Sequence, residues 1–397
     1  MNLNRLENET FTEYKIRICL AKLDKEIDLD WCEVRDLLGI NQSDSHLRKV
    51  AYGYREYREK IKIDNRCTLS DEEVIKEIEE KTLELQKERY KLADAKREVN
   101  KKIREAARRE LISEEVVQAI QNVNSKSPLQ VSEEPIVLRA GNNEAILMLS
   151  DWHYGLEVDN YWNKFNVSIL EKRVSDIVAQ VKEHLDIYGV NKIHIVLNGD
   201  FINGNIHTTL RIMSQMDIID QTVGVAELLA NTIHEISKFV EEVNVYSSIG
   251  NHSRLSENLK ESLTSENMER LIYRFIKERL KFHKNIKCLD NIYDCTMVTF
   301  DVFNEKIFAS HGDKDHCNSV INNMNKMLDF NPTVVLLGHI HHFTSKDFGS
   351  GTVITGGSLI GMDDYTVNKR IYGKPYQNMV IINDKLGKIA TIDLKVK

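Results

Sequence analysis

The sequence predicts an α/β fold, in which a domain of buried strands and helices follows an all-α N-terminal region. Two observations lead to this prediction. In the second half of the chain, short apolar runs recur and each gives way to a polar loop, as buried strands do. The first third contains no proline, since all four prolines lie at or beyond Pro128, so helices can run there without interruption.

The first helical segment, residues 11–60, has the layout of a helix-turn-helix. An apolar stretch reaches a turn at Gly39, an Asn/Ser/Asp-rich stretch follows, and a helix with basic and aromatic residues comes next. In such a unit the second helix offers Arg48 and Lys49 to a nucleic-acid groove. A plain helix bundle that contacts protein is the alternative interpretation.

A second helical stretch runs from Asp71 to about Asn122 and has neither glycine nor proline. Apolar residues recur in it every seven positions, at Ile78, Leu85, Leu92, Val99 and Ala106. The companion column that begins at Ile75 is apolar only at its ends. The pattern therefore fits a weakly dimerising, coiled-coil-like helix or a long helix packed against another element.

The same stretch is locally basic. From Lys81 to Glu110 it has 11 Lys/Arg against 6 Asp/Glu, although the whole chain carries a net charge of -7. A solvated face with ion pairs along the helix explains this excess, and so does a track for a nucleic-acid backbone. The candidate contacts are Lys96, Arg97, Lys101 and Arg104.

A polar, serine-rich stretch with two prolines separates the halves, as an interdomain linker does. We expect four segments: a helix-turn-helix-like domain (1–66), a long basic helix (67–123), a linker (124–140) and a strand-rich domain (141–397). No apolar stretch approaches the roughly 18 residues of a membrane span, and the N-terminus lacks the basic-then-apolar order of a signal peptide. We therefore expect a cytoplasmic protein.

Five short fragments at the predicted strand exits are rich in metal-ligating side chains. They are Asp151-Trp152-His153, Gly199-Asp200, Gly250-Asn251-His252, Ser310-His311-Gly312 and Gly338-His339-Ile340-His341. The ends of adjacent strands converge, so these side chains are expected to meet in a two-metal site. The mixture of oxygen and imidazole ligands suits manganese, iron or zinc rather than calcium, and a shared carboxylate holds two ions about 3.5–4 Å apart.

The order and spelling of the fragments resemble the calcineurin-like metallophosphoesterase family over roughly residues 143–395, which implies a β-sandwich flanked by helices for this domain. The resemblance implies one ion on Asp151, His153 and His341, a second on Asn251, His311 and His339, and a bridging Asp200. It also implies that His252 donates a proton to the departing oxygen or positions the scissile phosphate. In this chemistry the two ions neutralise the phosphate and activate a bridging water that attacks phosphorus.

The chain departs from the family spelling at one point. Asn-His is usually followed by an acidic residue, but here Ser253 and Arg254 follow, which leaves the tuning of the neighbouring histidine open. Arg254 is a candidate phosphate contact through its planar fork, with an ordinary surface arginine as the alternative. His207 and Arg211, in the loop after the second fragment, are further candidates for substrate binding, although His207 could instead cap the following helix.

With its N-terminal helices, the chain is similar to the SbcD-like and bacteriophage-type DNA exonucleases of that family. We expect a hydrolase with two divalent ions, manganese first and iron, zinc or magnesium as alternatives, that acts on DNA. We also expect a homodimer or higher oligomer through the long helix. The alternatives are a phosphodiesterase or phosphatase for a small molecule such as a cyclic nucleotide, with helices that only oligomerise, and a non-catalytic metal-binding module.

Overall fold

The computed structural model describes residues 2–66, 71–126, 128–131, 139–206, 213–214, 216–256, 258–328, 330–349, 351–370 and 372–397. The chain divides into two compact units, Met1–Ala107 and Arg108–Lys397. The division falls inside one long helix. The organisation into four segments that we expected from the sequence therefore stays a prediction.

Three helices build a small core near the N-terminus: α1 (Phe11–Leu23), α2 (Trp31–Leu37) and α3 (Asp44–Arg66). The side chains of Thr10 and Asp30 cap the first two helices by accepting from the backbone N–H three residues on. Ile18 and Val34 are fully buried in the shared core. Gly39, with a φ of 61°, follows the end of α2, so the predicted helix, turn and helix are observed.

The next helix, α4 (Asp71–Ser125), is continuous over 55 residues, which confirms the expectation drawn from its lack of glycine and proline. Its apolar column is open to solvent, with Ile78, Leu85, Leu92 and Val99 between 55% and 71% exposed. Near its C-terminal end, in contrast, one side of α4 is buried. Ala119 is buried there in the core of the second unit, with Ile112 and Val116 packed against that core.

The second unit contains two sheets. The six-stranded sheet consists of β1 (Asn143–Leu149), β4 (Val190–Asn198), β5 (Glu242–Ser248), β6 (Ile286–Cys288), β12 (Tyr376–Asn383) and β13 (Gly387–Lys395). Its order is β13-β12-β1-β4-β5-β6. The strands β1, β4, β5 and β6 are parallel, and β12 is antiparallel to both of its neighbours, β1 and β13. A ribbon of β2 (Val158–Asp159) and β3 (Lys164–Phe165) follows β1 in the chain.

The five-stranded sheet consists of β7 (Val298–Val302), β8 (Glu305–Ser310), β9 (Val334–Leu337), β10 (Thr344–Phe348) and β11 (Gly351–Thr355). Its order is β10-β11-β9-β8-β7, and the central strands β8, β9 and β11 are parallel. The remaining helices are α5 (Val167–Tyr188), α6 (Ile218–Ser237), α7 (Met268–Leu280), a short 3-10 helix (Leu259–Glu261), α8 (Val320–Leu328) and α9 (Asp364–Lys369).

The two sheets pack face to face through apolar side chains such as Ile146, Val196, Ile307 and Leu336. On the outer face of the larger sheet, α5, α6 and α7 bury a second core, and α8 covers the outer face of the smaller one. Because both faces are covered, the central strands are apolar on both sides. The predicted sandwich flanked by helices is confirmed.

Hydrogen bonds of Asn198 connect the two sheets, and two strands of the larger sheet, near the ends of their strands. Asn198, the last residue of β4, donates from Nδ2 to the carbonyl of Leu336 in the other sheet at 3.2 Å. Its Oδ1 accepts from Ser248, the last residue of β5, at 2.8 Å. The loops that follow these strands therefore start from a fixed frame. Among the described residues, no helix is both long and apolar enough to cross a membrane.

Candidate metal centre

The backbone at the predicted ligands is unusual. Asp151, His153, Asp200, His339 and His341 all have a positive φ, between 45° and 70°. They are five of the eight non-glycine residues with a positive φ in the described part of the chain. Side chains on left-handed backbone cost free energy, and such residues concentrate where the surrounding structure enforces a functional geometry. The strand-to-loop turns here are therefore set by packing.

Two glycines let the loops after β4 and β5 approach each other. A Cβ added to Gly199 would lie 2.7 Å from the backbone nitrogen of Gly250, and one added to Gly250 would collide with Asp200. Gly199 also has a φ of 87°, in the region that glycine adopts readily. This close approach brings Asp200 beside the Gly250-Asn251 turn.

The first group of ligand-type side chains consists of Asp151, His153 and His341. Nε2 of His341 lies 3.2 Å from Oδ1 of Asp151 and 3.2 Å from Nε2 of His153. Nε2 of His153 is 4.0 Å from the same carboxylate oxygen. The three ligand atoms thus surround one small volume, as a metal site requires.

The second group consists of Asp200, Asn251, His311 and His339. Nε2 of His311 lies 3.0 Å from Oδ2 of Asp200 and 3.1 Å from Oδ1 of Asn251. Nδ1 of His339 is 3.2 Å from the same nitrogen. Asp200 also belongs to a third set with His153 and His252, so its carboxylate faces both groups. This placement supports the bridging role, which stays a prediction.

The tautomer of His311 indicates what the second group can bind. Its Nδ1 lies 2.9 Å from the carbonyl oxygen of Asn198, which can only accept, so this nitrogen carries the proton. In the neutral ring, Nε2 then presents a lone pair to the oxygens of Asp200 and Asn251. Acceptors that face acceptors at about 3 Å repel unless a proton or a metal cation lies between them, so the site holds a positive charge in either state.

The first group of ligand-type side chains, around Asp151, also indicates a site for a cation. Oδ1 of Asp151 is buried and makes no well-formed hydrogen bond among the described residues, although Nε2 of His341 lies 3.2 Å away. A buried carboxylate oxygen in that state is costly unless a cation satisfies it. These donor sets, carboxylate, amide and imidazole, fit divalent ions such as manganese, iron or zinc.

The electrostatics keep His153 and Asp200 in their metal-binding form, whereas they retain a proton on His311. Burial, reinforced by His252, lowers the pKa of His153 well below its ordinary value, so its ring is neutral. Burial opposes ionisation of Asp200, but His311, His252 and His153 together outweigh it and hold the pKa of that carboxyl well below its usual range. For His311 the Asp200 carboxylate overcomes burial and raises the pKa to about 10.

His252 lies at the edge of the cluster. Its Nδ1 is 2.9 Å from the carbonyl of Asn203, and its backbone N–H donates to Oδ1 of Asp200 at 2.8 Å. Its Nε2 is 3.9 Å from Oδ2 of Asp200, and its ring contacts that of His153 edge-on. Nε2 is thus the ring nitrogen that faces the cluster, and the proton-donor role of His252 stays a prediction.

The other predicted residues are more dispersed. Arg254 donates from Nε to the carbonyl of Ser256 at 3.0 Å and from Nη1 to that of Asn251 at 3.3 Å, so it braces the ligand loop. His207 and Arg211 lie outside the described residues. The six residues proposed to contact nucleic acid, all exposed, are Arg48 and Lys49 on α3 and Lys96, Arg97, Lys101 and Arg104 on α4.

One residue at the centre was missed from the sequence. Glu269, near the start of α7, is buried and accepts from the backbone N–H groups of Phe201 and Gly250. Burial and then the Asp200 charge raise its pKa to about 7. It lies in none of the five fragments and has no metal-ligand spacing. The available sequence signal was an asparagine cap, Asn267, opening an amphipathic helix soon after the third fragment.

A sandwich whose strand ends carry clustered aspartate, asparagine and histidine ligands defines a metallophosphoesterase. Consistent with this, residues 144–353 match the family model of calcineurin-like phosphoesterases, and the chain belongs to that family. A second family model, the YonJ coiled-coil domain, matches residues 81–123, within α4. Members of the phosphoesterase family use divalent metal ions, and the two groups of ligand-type side chains described above could hold such ions.

The chain is similar over almost its whole length to the SPbeta prophage-derived uncharacterized protein YonJ of Bacillus subtilis (strain 168). The two are 26% identical over 404 residues, which cover 98% of this chain and 97% of that protein. Among solved structures, a match to an archaeal phosphodiesterase covers 63% of this chain and 99% of the other, at 14% identity and a TM-score of 0.32. A predicted phosphoesterase from Streptococcus pneumoniae TIGR4 matches over 64% and 92%, at 13% identity and a TM-score of 0.29.

Proposed function

We propose that the protein is a metal-dependent DNA nuclease of the SbcD-like or bacteriophage type, whose N-terminal helices engage DNA. The observation that carries this proposal is a basic stripe on α4. Arg97, Lys101 and Arg104 are spaced by four and three residues, so they share one side of the helix, and all three are exposed. Phosphate backbones are bound by such arrays of cations.

The stripe retains most of its charge. In the described part of the chain, Lys101 and Arg104 have no ion-pair partner, and Arg97 has only an exposed one, Asp94 at 3.4 Å. Exposed pairs of this kind contribute little, so a phosphate can displace the carboxylate at small cost. The net charge of the chain is negative, and a local stripe is therefore the feature that would hold DNA.

At the centre, the chain's own residues prepare hydrolysis. Asp151, Asn251 and the histidines would hold cations at the strand ends, while Asp200 faces both groups. Divalent ions, when bound, supply positive charge to the scissile phosphate and acidify the attacking water. Nε2 of His252 is oriented to protonate the departing oxygen, because its Nδ1 is fixed on the carbonyl of Asn203.

The exposed apolar column of α4 supports a second part of the proposal, self-association. At about 3.6 residues per turn, Leu85, Leu92 and Val99 lie on a different side of the helix from the basic stripe. A second copy of the chain packed along this column would bury it and leave the stripe open. The match to a coiled-coil family model over residues 81–123 supports the same interface.

The alternative is a small-molecule phosphodiesterase, such as one for cyclic nucleotides, in which α4 only joins subunits. A substrate panel separates the two. The full chain with Mn²⁺ is incubated with linear duplex, circular and single-stranded DNA, RNA and cyclic nucleotides. We expect turnover of DNA, with a dependence on free ends for an exonuclease. Preferential turnover of cyclic nucleotides would reject the nuclease proposal.

Charge reversal tests the stripe directly. Replacing Arg97, Lys101 and Arg104 by Glu should weaken duplex binding and flatten its salt dependence, since each lost phosphate contact reduces counterion release. Reversal of Lys87, Lys91 and Lys102, on another side of α4, is the matched control for net charge. Parallel reversal of Arg48 and Lys49 tests α3. If all of these variants bind DNA like the original chain, the helices do not engage DNA.

A further inference from the structure

The start of α7 forms hydrogen bonds with both ligand loops of the larger sheet. Glu269 is buried there, with 2% of the residue exposed. One of its oxygens accepts from the backbone N–H of Phe201, the residue after Asp200, at 2.8 Å. The other accepts from the backbone N–H of Gly250, the residue before Asn251. One side chain thus joins the loop of the shared carboxylate to the loop of the amide ligand.

Further hydrogen bonds connect the start of α7 to the loop that carries Asn251. Asn267 donates from Nδ2 to the carbonyl of Gly250 at 2.9 Å, and its Oδ1 accepts from the backbone N–H of Glu269 at 2.9 Å. The backbone N–H of Met268 donates to the carbonyl of Ser253 at 2.9 Å. The backbone N–H and the carbonyl of Gly250 are therefore both hydrogen-bonded to side chains at the start of α7. These bonds restrict the turn that carries Asn251.

We propose that Glu269 is a positioning residue of the metal centre, which fixes the distance between Asp200 and Asn251 through their neighbouring backbone groups. Ser253, directly after His252, supplies no carboxylate for this purpose. It is fully buried, and its Oγ has no hydrogen-bond partner among the described residues. The proposal rests on the metal centre described above and adds a residue that lies outside all five ligand fragments.

The chemistry of the two bonds requires a carboxylate. Two buried N–H donors converge on two oxygens, and an ionised carboxylate can accept on both. A glutamine would turn its NH₂ group toward one of these N–H groups and leave a buried donor unpaired. The loop positions depend on these bonds because Asp200 itself occupies left-handed backbone, which relaxes when its restraints are removed.

The test compares Glu269→Gln and Glu269→Ala with the unaltered chain. Mn²⁺ affinity and stoichiometry are measured by titration calorimetry, folding by circular dichroism and thermal unfolding, and turnover with bis(p-nitrophenyl) phosphate. We expect both variants to bind Mn²⁺ about 10- to 100-fold more weakly, the usual scale for residues that orient ligands. At saturating Mn²⁺, kcat should fall while KM changes little.

Two further variants sharpen the result. Glu269→Asp keeps both acceptors but shortens their reach, so its metal affinity should fall less than that of Glu269→Gln. Glu144→Gln is the matched control, because Glu144 is a mostly buried carboxylate that contacts His194 at 2.8 Å near the start of β1, away from the ligand loops. It should cost stability without changing Mn²⁺ affinity.

A lower unfolding temperature with unchanged Mn²⁺ affinity in Glu269→Gln would reduce Glu269 to a purely structural role and overturn the proposal. Should the Gln and Ala variants not fold, Asn267→Ala removes the bond to the carbonyl of Gly250 together with the cap on the backbone N–H of Glu269, and leaves the Glu269 carboxylate in place. It must then weaken Mn²⁺ binding for the proposal to stand. If the unaltered chain binds no divalent ion, the metal centre itself is wrong, which is distinguishable because no variant then differs from it.

Discussion

The ligand loops of the second unit and the exposed length of α4 are organised in opposite ways. In the loops, Asp151, Asp200 and His311 are almost fully buried, and their geometry is set by neighbours in the same chain. Along α4, apolar and basic side chains face solvent, with few partners among the described residues. The loops are therefore preorganised for chemistry, whereas the apolar and basic side chains of α4 stay open to solvent.

This difference predicts where changes act. Substitutions in the loops should affect metal binding and turnover on every substrate, large or small, because they alter the reacting centre. Substitutions on α4 should affect assembly or DNA binding and leave hydrolysis of a small diester unchanged.

Asp200→Asn should have the largest effect. Its carboxylate faces both ligand groups, and the amide removes the negative charge that both ions would share. We expect hydrolysis of bis(p-nitrophenyl) phosphate to fall by at least about 10³-fold, beyond the range for one electrostatic contact, with loss of bound metal. Asp393→Asn, on β13, is the control for folding. Full activity with two bound metals in Asp200→Asn would contradict the bridging role.

His252→Ala should reduce turnover by about 10²–10⁴-fold, the scale of general acid–base help. Both metals should remain bound, because in the proposed assignment this side chain lies outside the ligand sets. Metal content by mass spectrometry, measured beside kcat, distinguishes the roles. Loss of an ion would make His252 a ligand, an option that its proximity to His153 and Asp200 leaves open.

Metal affinity should rise with pH. The pKa of His311 is raised to about 10 by Asp200 against the effect of burial, so in the metal-free protein this ring holds a proton at neutral pH. A metal can bind Nε2 only after that proton leaves, so affinity should increase about tenfold per pH unit below the pKa. Calorimetry in buffers of different ionisation enthalpy counts the protons released. Affinity independent of pH would contradict this.

The smallest effect on catalysis should come from the apolar column. Replacing Leu85 and Leu92 by Lys should convert the proposed dimer to monomer in light scattering, because charges would face each other across the seam. Turnover of bis(p-nitrophenyl) phosphate should not change. Leu83→Lys with Tyr90→Lys, exposed on another side of α4, is the matched control. A monomeric starting protein would remove the self-association proposal.

The ligand loops were predictable because the signals are local. An apolar run followed by Asp, Asn or His within a few residues fixes both the strand and the side chain at its exit, as at Leu149 and Asp151. The parallel order of β1, β4 and β5 then follows from the helices between them. These features do not depend on contacts with distant parts of the chain.

Contacts made at long range could not be predicted. Glu269 meets Phe201, 68 positions earlier in the chain, and no periodicity marks such a pairing. The division of the compact units inside α4 was equally hidden, since the change from exposed Val99 to buried Ala119 alters neither helix propensity nor apolar content. Burial of that end depends on the core it meets.

The left-handed backbone at five of the candidate ligands has a consequence for how this sequence can drift. Each such residue costs about 1–2 kcal/mol relative to glycine, so the five together oppose a sizeable part of the roughly 5–15 kcal/mol that keeps a domain folded. Selection for stability alone would favour glycine at Asp151, His153, Asp200, His339 and His341. A descendant relieved of catalysis should therefore lose its ligands first and become harder to unfold as it does.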